Sequence, residues 1–377
     1  MIHQDKVRIL FFIEKFGGGG AEKVLRDLVN HMDQSKFEIT VQSVWPYEER
    51  KLLKPGIRYK SVYPVRNRLT EISYRLEAAL GWTYTIHVKD NYDIEAAFLE
   101  SGPTKILAAS TNRKAKKIAW VHCDLSQNRP DVPAFVQKAC MWYDRFDYVV
   151  CVSQDVKVSF DKIFENRYKS LVLYNTINDE EIRAKAEADL PELPEKRKLT
   201  AVTVGRLTYQ KAYDRLLHIH KQLIGEGLDY DLWILGEGEE RSALEAYISE
   251  NGLSDSVKLF GFCKNPYPYI KTADLLVCSS RYEGFSTFVT EGMILGKPVV
   301  TTDCTGMREL LGDSEYGLIT DNSEEALLEG MRRMLKDAQL RGRYEEKAIK
   351  RGDTFSSSET TLKTESFFLS ALQDSSQ

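Results

Sequence analysis

Glu283 and Glu291 bracket a Gly-Phe-Ser-Thr turn at 284–287, directly after the apolar run Asp274–Ser280. The run reads as a buried strand and the residues beyond the turn as a helix. A strand that feeds a helix through a glycine turn leaves unpaired N–H groups and the positive end of the helix dipole facing outward, which suits a phosphate. A carboxylate two turns into that helix can reach a sugar hydroxyl. Two glutamates at this spacing occur by chance on many solvated helices, so the argument needs a second group of charges. Arg206 and Lys211 supply it: they follow another strand-like run, Leu199–Val204, on a loop that enters a helix near Tyr213. Two cations at a strand's carboxyl end can hold a diphosphate and offset the charge that builds as it leaves, with no metal required.

Further candidates stand alone. Gly17–Gly20 lets the backbone turn sharply and come close to a ligand ahead of a helix. It is not a dinucleotide fingerprint, since Lys23 takes the place of the third glycine, and it lacks the Gly-Lys-Ser/Thr of a phosphate loop. His122 ends the run Lys117–His122, where an imidazole can hydrogen-bond a hydroxyl or simply complete a structural network. Asp124, two residues on, is a further candidate carboxylate at the same strand end. His218 and His220 are two apart on a helical pattern and point to different sides, so they form no metal pair. A diphosphate held through a divalent metal would call for a motif such as Asp-x-Asp, and the single match, Asp229-Tyr-Asp231, opens a strand at its amino end.

These residues must be positioned by alternating strands and helices. Val7–Ile13, Phe37–Val44, Tyr92–Leu99, Lys117–His122, Asp147–Ser153 and Leu171–Tyr174 read as strands in the first half. Leu199–Val204, Leu228–Leu235, Val257–Phe260, Asp274–Ser279 and Pro298–Thr302 repeat the theme, with helical patterns such as Ala21–Met32 and Gln154–Phe164 between strands. Such alternation predicts parallel sheets covered by helices, with ligands at the carboxyl ends of the strands. A chain of 377 residues is long for one core, and the proline-rich, charged stretch 186–198 reads as a linker. The expected division is therefore 1–185, 199–358 and a helical segment 359–377.

Composition narrows the partners. No apolar run approaches the length of a membrane span, and the charged start is unlike a signal peptide, so a cytoplasmic location is expected. The six cysteines form no Cys-x-x-Cys pair and read as reduced packing residues. The net charge of −4 conceals an asymmetry, because residues 1–180 carry 27 Lys and Arg against 23 Asp and Glu. The run Arg113–Lys117 reads as a solvated face when taken alone. With Arg66, Arg68 and Arg75 among Tyr63, Leu69, Ile72 and Tyr74, peripheral contact with an anionic membrane enters as an expectation. Nucleic acid does not, since no binding motif accompanies the charge.

Set out together, Gly17–Glu22, Val204-Gly-Arg-Leu…Lys211, Leu235-Gly-Glu-Gly238, Phe260-Gly-Phe262 and Glu283…Glu291 resemble the retaining glycosyltransferases of family 4, the glycosyl transferases group 1. The likeness is strong over about 200–320, fair at 7–32 and 117–153, and faint at 45–90, where acceptor recognition varies. It implies a GT-B fold of two doubly wound, Rossmann-like domains facing across a cleft. It places Gly19 and Gly20 against the donor's phosphate and sugar, with Gly18 supporting them. Arg206 and Lys211 would hold the diphosphate, the backbone at Phe285, Ser286 and Thr287 the phosphates, and Glu291 the ribose. Phe262 joins the donor-binding set, Glu283 stands beside the transferred sugar, and His122 faces a sugar or acceptor hydroxyl. The implied catalytic set is Glu283, His122, Arg206 and Lys211.

The implied activity is transfer from a nucleoside-diphosphate sugar, expected to be UDP-linked, with retention of configuration and without a metal. The acceptor would be a glycan or lipid-linked glycan of a surface polysaccharide. In the front-face scheme that explains retention in this family, the departing diphosphate helps deprotonate the acceptor hydroxyl, and closure of the domains excludes water. Two other readings stay open: a nucleotide-sugar epimerase of the same fold, which would need no acceptor, and a non-catalytic nucleotide-sugar-binding protein.

Overall fold

A computed structural model describes residues 6–17, 19–127, 131–190, 192–196 and 198–374. The chain divides into two compact units, 1–177 with 357–377, and 178–356. The first unit runs β1 (Val7–Ile13), α1 (Gly20–His31), β2 (Phe37–Ser43), β3 (Arg58–Ser61), α2 (Arg68–Leu80), α3 (Thr83–His87) and β4 (Ile94–Ala97). It continues with α4 (Gly102–Ala108), β5 (Lys116–Val121), α5 (Val132–Tyr143), β6 (Tyr148–Cys151), α6 (Gln154–Ile163) and β7 (Ser170–Val172). The second unit holds α7 (Asp179–Ala186), β8 (Leu199–Val204), α8 (Tyr213–Gly225), β9 (Tyr230–Leu235), α9 (Arg241–Glu250), β10 (Val257–Gly261), α10 (Tyr267–Thr272) and β11 (Leu275–Cys278). It closes with α11 (Thr287–Ile294), β12 (Val299–Thr302), α12 (Met307–Leu311), β13 (Leu318–Thr320), α13 (Glu324–Lys336) and α14 (Ala338–Gly352), after which α15 (Ser357–Gln373) returns to the first unit.

Both sheets are parallel throughout. The first has the order β3-β2-β1-β4-β5-β6-β7 and the second β10-β9-β8-β11-β12-β13. Parallel strands are covered on both faces, which is why β1 (VRILFFI) and β11 (LLVC) are near-continuous apolar runs. In each sheet the strand order reverses once, between β1 and β4 and between β8 and β11. At such a point the loops leaving neighbouring carboxyl ends diverge to opposite faces and open a crevice. The loops at Gly17–Gly20 and at Arg206–Lys211 both begin there.

The second unit has its own core, in which Leu216, Leu217 and Leu223 of α8 pack with Leu232, Ile234, Val277 and Val300 of the sheet. In the first unit α15 lies against α1 and sets Phe368 between Phe11, Phe37 and Trp120. Residues 178–185, grouped by the sequence with the first half, and Ala186, read as the start of the linker, belong to the second unit: Ile182 and Ala186 of α7 are buried and the helix packs on α10 and α11. Two strands were not anticipated. β3, Arg-Tyr-Lys-Ser, is a polar edge strand tied to β2 by the Arg58–Glu38 ion pair of 2.7 Å, and β13 is three residues long. Neither carries the apolar run or alternation that marks a strand in sequence.

Candidate functional site

The two charge groups of the second unit meet because β8 and β11 are neighbours at the reversal point. Beyond β8 the chain bends back on itself: Lys211 N–H bonds Thr208 C=O at 2.9 Å, and Ala212 takes the left-handed conformation, φ 55°, before α8 begins. That bend delivers Lys211 Nζ to Glu283 Oε1 at 2.6 Å, and Ser280 Oγ donates to the same oxygen at 2.6 Å. Glu283 is buried, and Oε2 has no partner among the described residues. Burial works to lower the Lys211 ammonium, but the Glu283 carboxylate outweighs it and raises the group well above the ordinary lysine value. Lys211 is therefore a fixed cation at any physiological pH. Arg206, five residues earlier, is exposed and makes no ion pair among the described residues.

The loop carrying Glu283 is anchored at many points to the loop carrying Lys211. Arg281 N–H bonds Gln210 C=O at 2.8 Å, Gln210 Nε2 donates to Tyr282 C=O at 3.0 Å, and Ser279 Oγ donates to Lys211 C=O at 2.8 Å. Arg281 also pairs with Asp214 at 2.6 Å and lies 4.0 Å over the Tyr209 ring. Beneath them sits a residue the sequence reading missed. Arg215 is buried and donates from Nε to Ser279 C=O at 2.9 Å and from its terminal nitrogen to Ser280 C=O at 2.9 Å and Asn322 Oδ1 at 2.8 Å. Thr302 Oγ1 and Cys304 Sγ also donate to Ser280 C=O. The signal was present in sequence: a lone arginine on the apolar face of α8 must find acceptors when buried.

The glycine motifs hold the strand ends together. Gly236, φ 146°, lies so close to the neighbouring loop that a Cβ would stand 1.8 Å from Gly205 O, and one on Gly238 would stand 2.2 Å from Leu207 O. Gly205 N–H bonds Leu235 C=O at 3.0 Å and Gly236 N–H bonds Gly261 C=O at 2.8 Å, so the ends of β8, β9 and β10 form one rim. Phe262, the next residue along, presents its ring to solvent, 65 % exposed.

α11 starts at Thr287 with Ser286 as N-cap, its side chain accepting from Val289 N–H, and Thr290 Oγ1 donating to Ser286 C=O at 2.9 Å. The amides of Thr287 and Phe288 have no acceptor among the described residues. Phe285 is part-buried at the entry to the helix. Every residue of α11 from Phe288 to Ile294 is buried, and Glu291 receives a bond from Tyr267 Oη at 3.3 Å. Glu283, Lys211 and Ser280 thus touch, whereas Glu291 stands apart with α10.

In the first unit, Gly19 is the N-cap of α1 and Gly20 its first residue, at the end of the loop that leaves β1. A Cβ on Gly19 would stand 2.2 Å from Glu22 Oε2. Gly18 lies outside the described residues. His122 follows β5 on the same carboxyl edge, its N–H bonded to Glu100 Oε2 at 3.0 Å and its ring 4.9 Å from Phe98. Burial holds its imidazole down at about 4, against a smaller upward pull from Glu100, so the ring is neutral at pH 7. Its Nε2 is buried without a partner among the described residues. Asp124 is occupied: Oδ1 accepts from Ser126 N–H, Ser126 Oγ and Ser159 Oγ, and so fastens its own loop.

The remaining candidates are structural. His220 is buried, bonded to Ser256 Oγ at 2.8 Å and held down at about 4 by that burial, while His218 faces Glu324. Asp229 pairs with Lys198 at the amino end of β9, on the opposite edge from Arg206. All six cysteines are free thiols, and burial pushes Cys151 and Cys304 up to about 12. Among the described residues no three His, Cys, Asp or Glu side chains converge on one point.

Residues 185–351 match the family Glycosyl transferases group 1, a segment that contains Arg206, Lys211, Phe262, Glu283 and Glu291. The chain is 38% identical over 189 residues to an N-acetylgalactosamine-N,N'-diacetylbacillosaminyl-diphospho-undecaprenol 4-alpha-N-acetylgalactosaminyltransferase of Campylobacter jejuni, half of each chain being covered. It spans about half the length of the curated relatives it matches. Likeness to solved structures extends over the whole chain. Anabaena HepE in complex with UDP and glucose superposes with a TM-score of 0.75 at 18% identity, covering 97% of this chain and all of that one. Sucrose-phosphate synthase from Thermosynechococcus elongatus gives 0.78 at 16% identity, over 98% and 100%. The fold is the GT-B class, two Rossmann-like α/β units built on parallel sheets.

Proposed function

We propose that the protein is a glycosyltransferase that moves a sugar from a UDP-linked donor onto a lipid-linked glycan during assembly of a surface polysaccharide. The observation that carries this reading is the Lys211–Glu283–Ser280 cluster, with Arg206 on the same loop as Lys211 and without an ion pair among the described residues, at the strand reversal of the unit whose sequence matches the family. Arg206 and the Lys211 ammonium face the diphosphate, and the first-turn amides of α11 add donors without the cost of ordering a side chain. Glu291 takes the ribose hydroxyls and Phe262 offers an exposed ring to the base. The UDP-bound relative of the same fold and the diphospho-undecaprenol acceptor in the name of the Campylobacter relative favour these two substrate classes.

In the reaction assigned here, the bond from the anomeric carbon to the diphosphate oxygen breaks and a bond to the acceptor oxygen forms on the same face. The acceptor's proton passes to the departing diphosphate, and configuration is retained. Lys211 and Arg206 offset the charge gathering on the leaving group, which assigns that task to side chains and not to a metal. Glu283 holds Lys211 and stands near the sugar, with its free Oε2 as the remaining acceptor. Work in the cytoplasm, at the membrane face where a lipid-linked acceptor is presented, completes the proposal.

The test is a thermal-shift series of the full chain with UDP, GDP and ADP, followed by sugar transfer to a polyprenyl-diphosphate glycan. UDP should stabilise the wild type with or without Mg²⁺, and Arg206→Ala should lose at least about tenfold in affinity, as expected of one charge-assisted contact. Glu283→Gln should still bind UDP, more weakly because Lys211 loses the carboxylate that holds it, and lose about a hundredfold or more in turnover. Stabilisation by no nucleoside diphosphate would overturn the reading.

A further inference from the structure

Glu14 is the first residue beyond β1, where the first sheet reverses its strand order. It is part-buried, and its carboxylate makes no hydrogen bond or ion pair among the described residues. A Cβ on Gly102, the first residue of α4, would stand 2.8 Å from Glu14 Oε2, so glycine at that position leaves the carboxylate its room. The loop that joins β4 to Gly102 also carries Glu100, which accepts the His122 N–H and the Cys123 thiol, each at 3.0 Å. It turns through Ser101 at φ 73°, a conformation that costs a residue with a side chain. One loop thus touches both Glu14 and the strand end that carries His122.

Aromatic side chains complete the surroundings. Tyr47, on the chain leaving β2, adjoins the glycine loop: a Cβ on Gly17 would stand 3.6 Å from its ring. Its hydroxyl is buried and has no partner among the described residues. Burial raises this phenol above its ordinary value, the Arg66 charge pulls it down, and Tyr59, Glu14 and Glu22 push it up, so both carboxylates are within electrostatic reach of the hydroxyl. Tyr74 of α2 is raised by burial and next by Glu14, which puts the carboxylate near a second ring. Tyr74 packs edge-on against Trp45, 5.8 Å between centroids, and Trp45 stacks on Tyr63 at 5.2 Å. Of the charges that reach the Tyr47 hydroxyl, Glu14 and Glu22 are negative, while Arg66 is already paired with Glu71 at 2.8 Å. A phosphate would meet repulsion here, the reverse of what Arg206 and Lys211 offer in the second unit. A neutral, polyhydroxylated ring finds acceptors and a phenol for its hydroxyls and aromatic surface for its C–H faces.

We infer that Glu14 and Tyr47 form the subsite for the acceptor's terminal sugar, Glu14 accepting from one of its hydroxyls and Tyr47 Oη bonding a neighbouring one, and that this pair selects which sugar is extended. The inference rests on the proposed transfer to a glycan and names the residues that read its acceptor. A buried hydroxyl without a partner costs stability where phenylalanine would not, and a hydroxyl of the substrate supplies the missing partner. Such a site is selective, because an analogue lacking the hydroxyl leaves the protein's own polar groups unpaired.

The test is calorimetric titration of the full chain, without nucleotide, with polyprenyl-diphosphate glycans in detergent that end in a hexose or an N-acetylhexosamine, and with versions of the tightest one lacking single hydroxyls on that terminal sugar. Glu14→Ala should weaken the intact glycan at least about tenfold, and Glu14→Gln, which keeps one acceptor oxygen, by less. The wild type should reject one deoxy glycan by a similar factor, and Glu14→Ala should bind that glycan and the intact one alike. Tyr47→Phe should weaken binding severalfold yet hold or raise the melting temperature, since it removes an unpartnered hydroxyl. In transfer assays the loss in Glu14→Ala should fall on the acceptor KM more than on kcat. Equal affinity of the wild type and Glu14→Ala for the intact glycan, or the same deoxy discrimination in both, overturns the inference. So does failure of the wild type to bind any of the glycans, or loss of the UDP thermal shift in Glu14→Ala, which would place the carboxylate on the donor. If UDP does not shift the wild type, the donor reading falls, and the glycan titrations still decide the acceptor subsite.

Discussion

At the residue scale, Lys211 shows two forces in opposition. Burial disfavours its charge and the Glu283 carboxylate 2.6 Å away favours it, and the raised ammonium records that the carboxylate wins. Each charge is then the condition for burying the other, and removing one strands its partner. Lys211→Met should cost about 2 kcal/mol or more, because it leaves a buried carboxylate with only Ser280 Oγ as donor. The double variant Lys211→Met/Glu283→Gln should recover part of that loss, since no unpaired charge remains. Urea denaturation of the two single variants and the double variant gives the coupling energy. A coupling near zero would mean that solvent already screens the pair and that Lys211 is not held in place by Glu283.

At the element scale, the site depends on two loops that leave adjacent strands and are bonded to each other before any ligand arrives. Arg215 underlies that join, buried and donating to Ser279 C=O, Ser280 C=O and Asn322 Oδ1. Arg215→Met fills much of the same space but leaves carbonyls short of donors. It should cost about 1–3 kcal/mol and raise amide exchange over residues 279–287, with β1 to β7 unchanged. Exchange confined to α8 would show that Arg215 supports its own helix and not the loop at 279–287. Much at this scale could be read from sequence. The strands that carry site residues are continuous apolar runs because parallel strands are buried on both faces, and Val7–Ile13 and Leu199–Val204 were placed to the residue. What escaped lacked that signal: β3 is polar because it is an edge, and Arg215 acts through acceptors 64 residues or more away in the chain. The meeting of Lys211 with Glu283 likewise depends on β8 pairing with β11, a crossover that no local pattern encodes.

At the scale of the whole molecule, the first unit is built from two distant stretches of chain. After the second unit is complete, α15 returns to the first and inserts Phe368, fully buried, with ring centroids 5.9 Å from Phe11, 6.5 Å from Phe37 and 6.0 Å from Trp120. Glu365 of the same helix accepts the Asp33 N–H at 2.6 Å. The core of the first unit is thus completed by residues more than 180 positions beyond its last strand, so it cannot be finished until the rest of the chain has been made. Phe368→Ala removes a large ring from a closed cluster and should cost about 3–5 kcal/mol. The loss should be local: hydrogen exchange should rise in β1, β2, β5 and α1, while β8, β9 and β11, which pack around a separate core, keep their protection. UDP stabilisation, assigned here to the second unit, should survive at the wild-type concentration dependence. Equal loss of protection in β8 and β11 would show that the two units fold as one cooperative body, and that α15 is the element joining them.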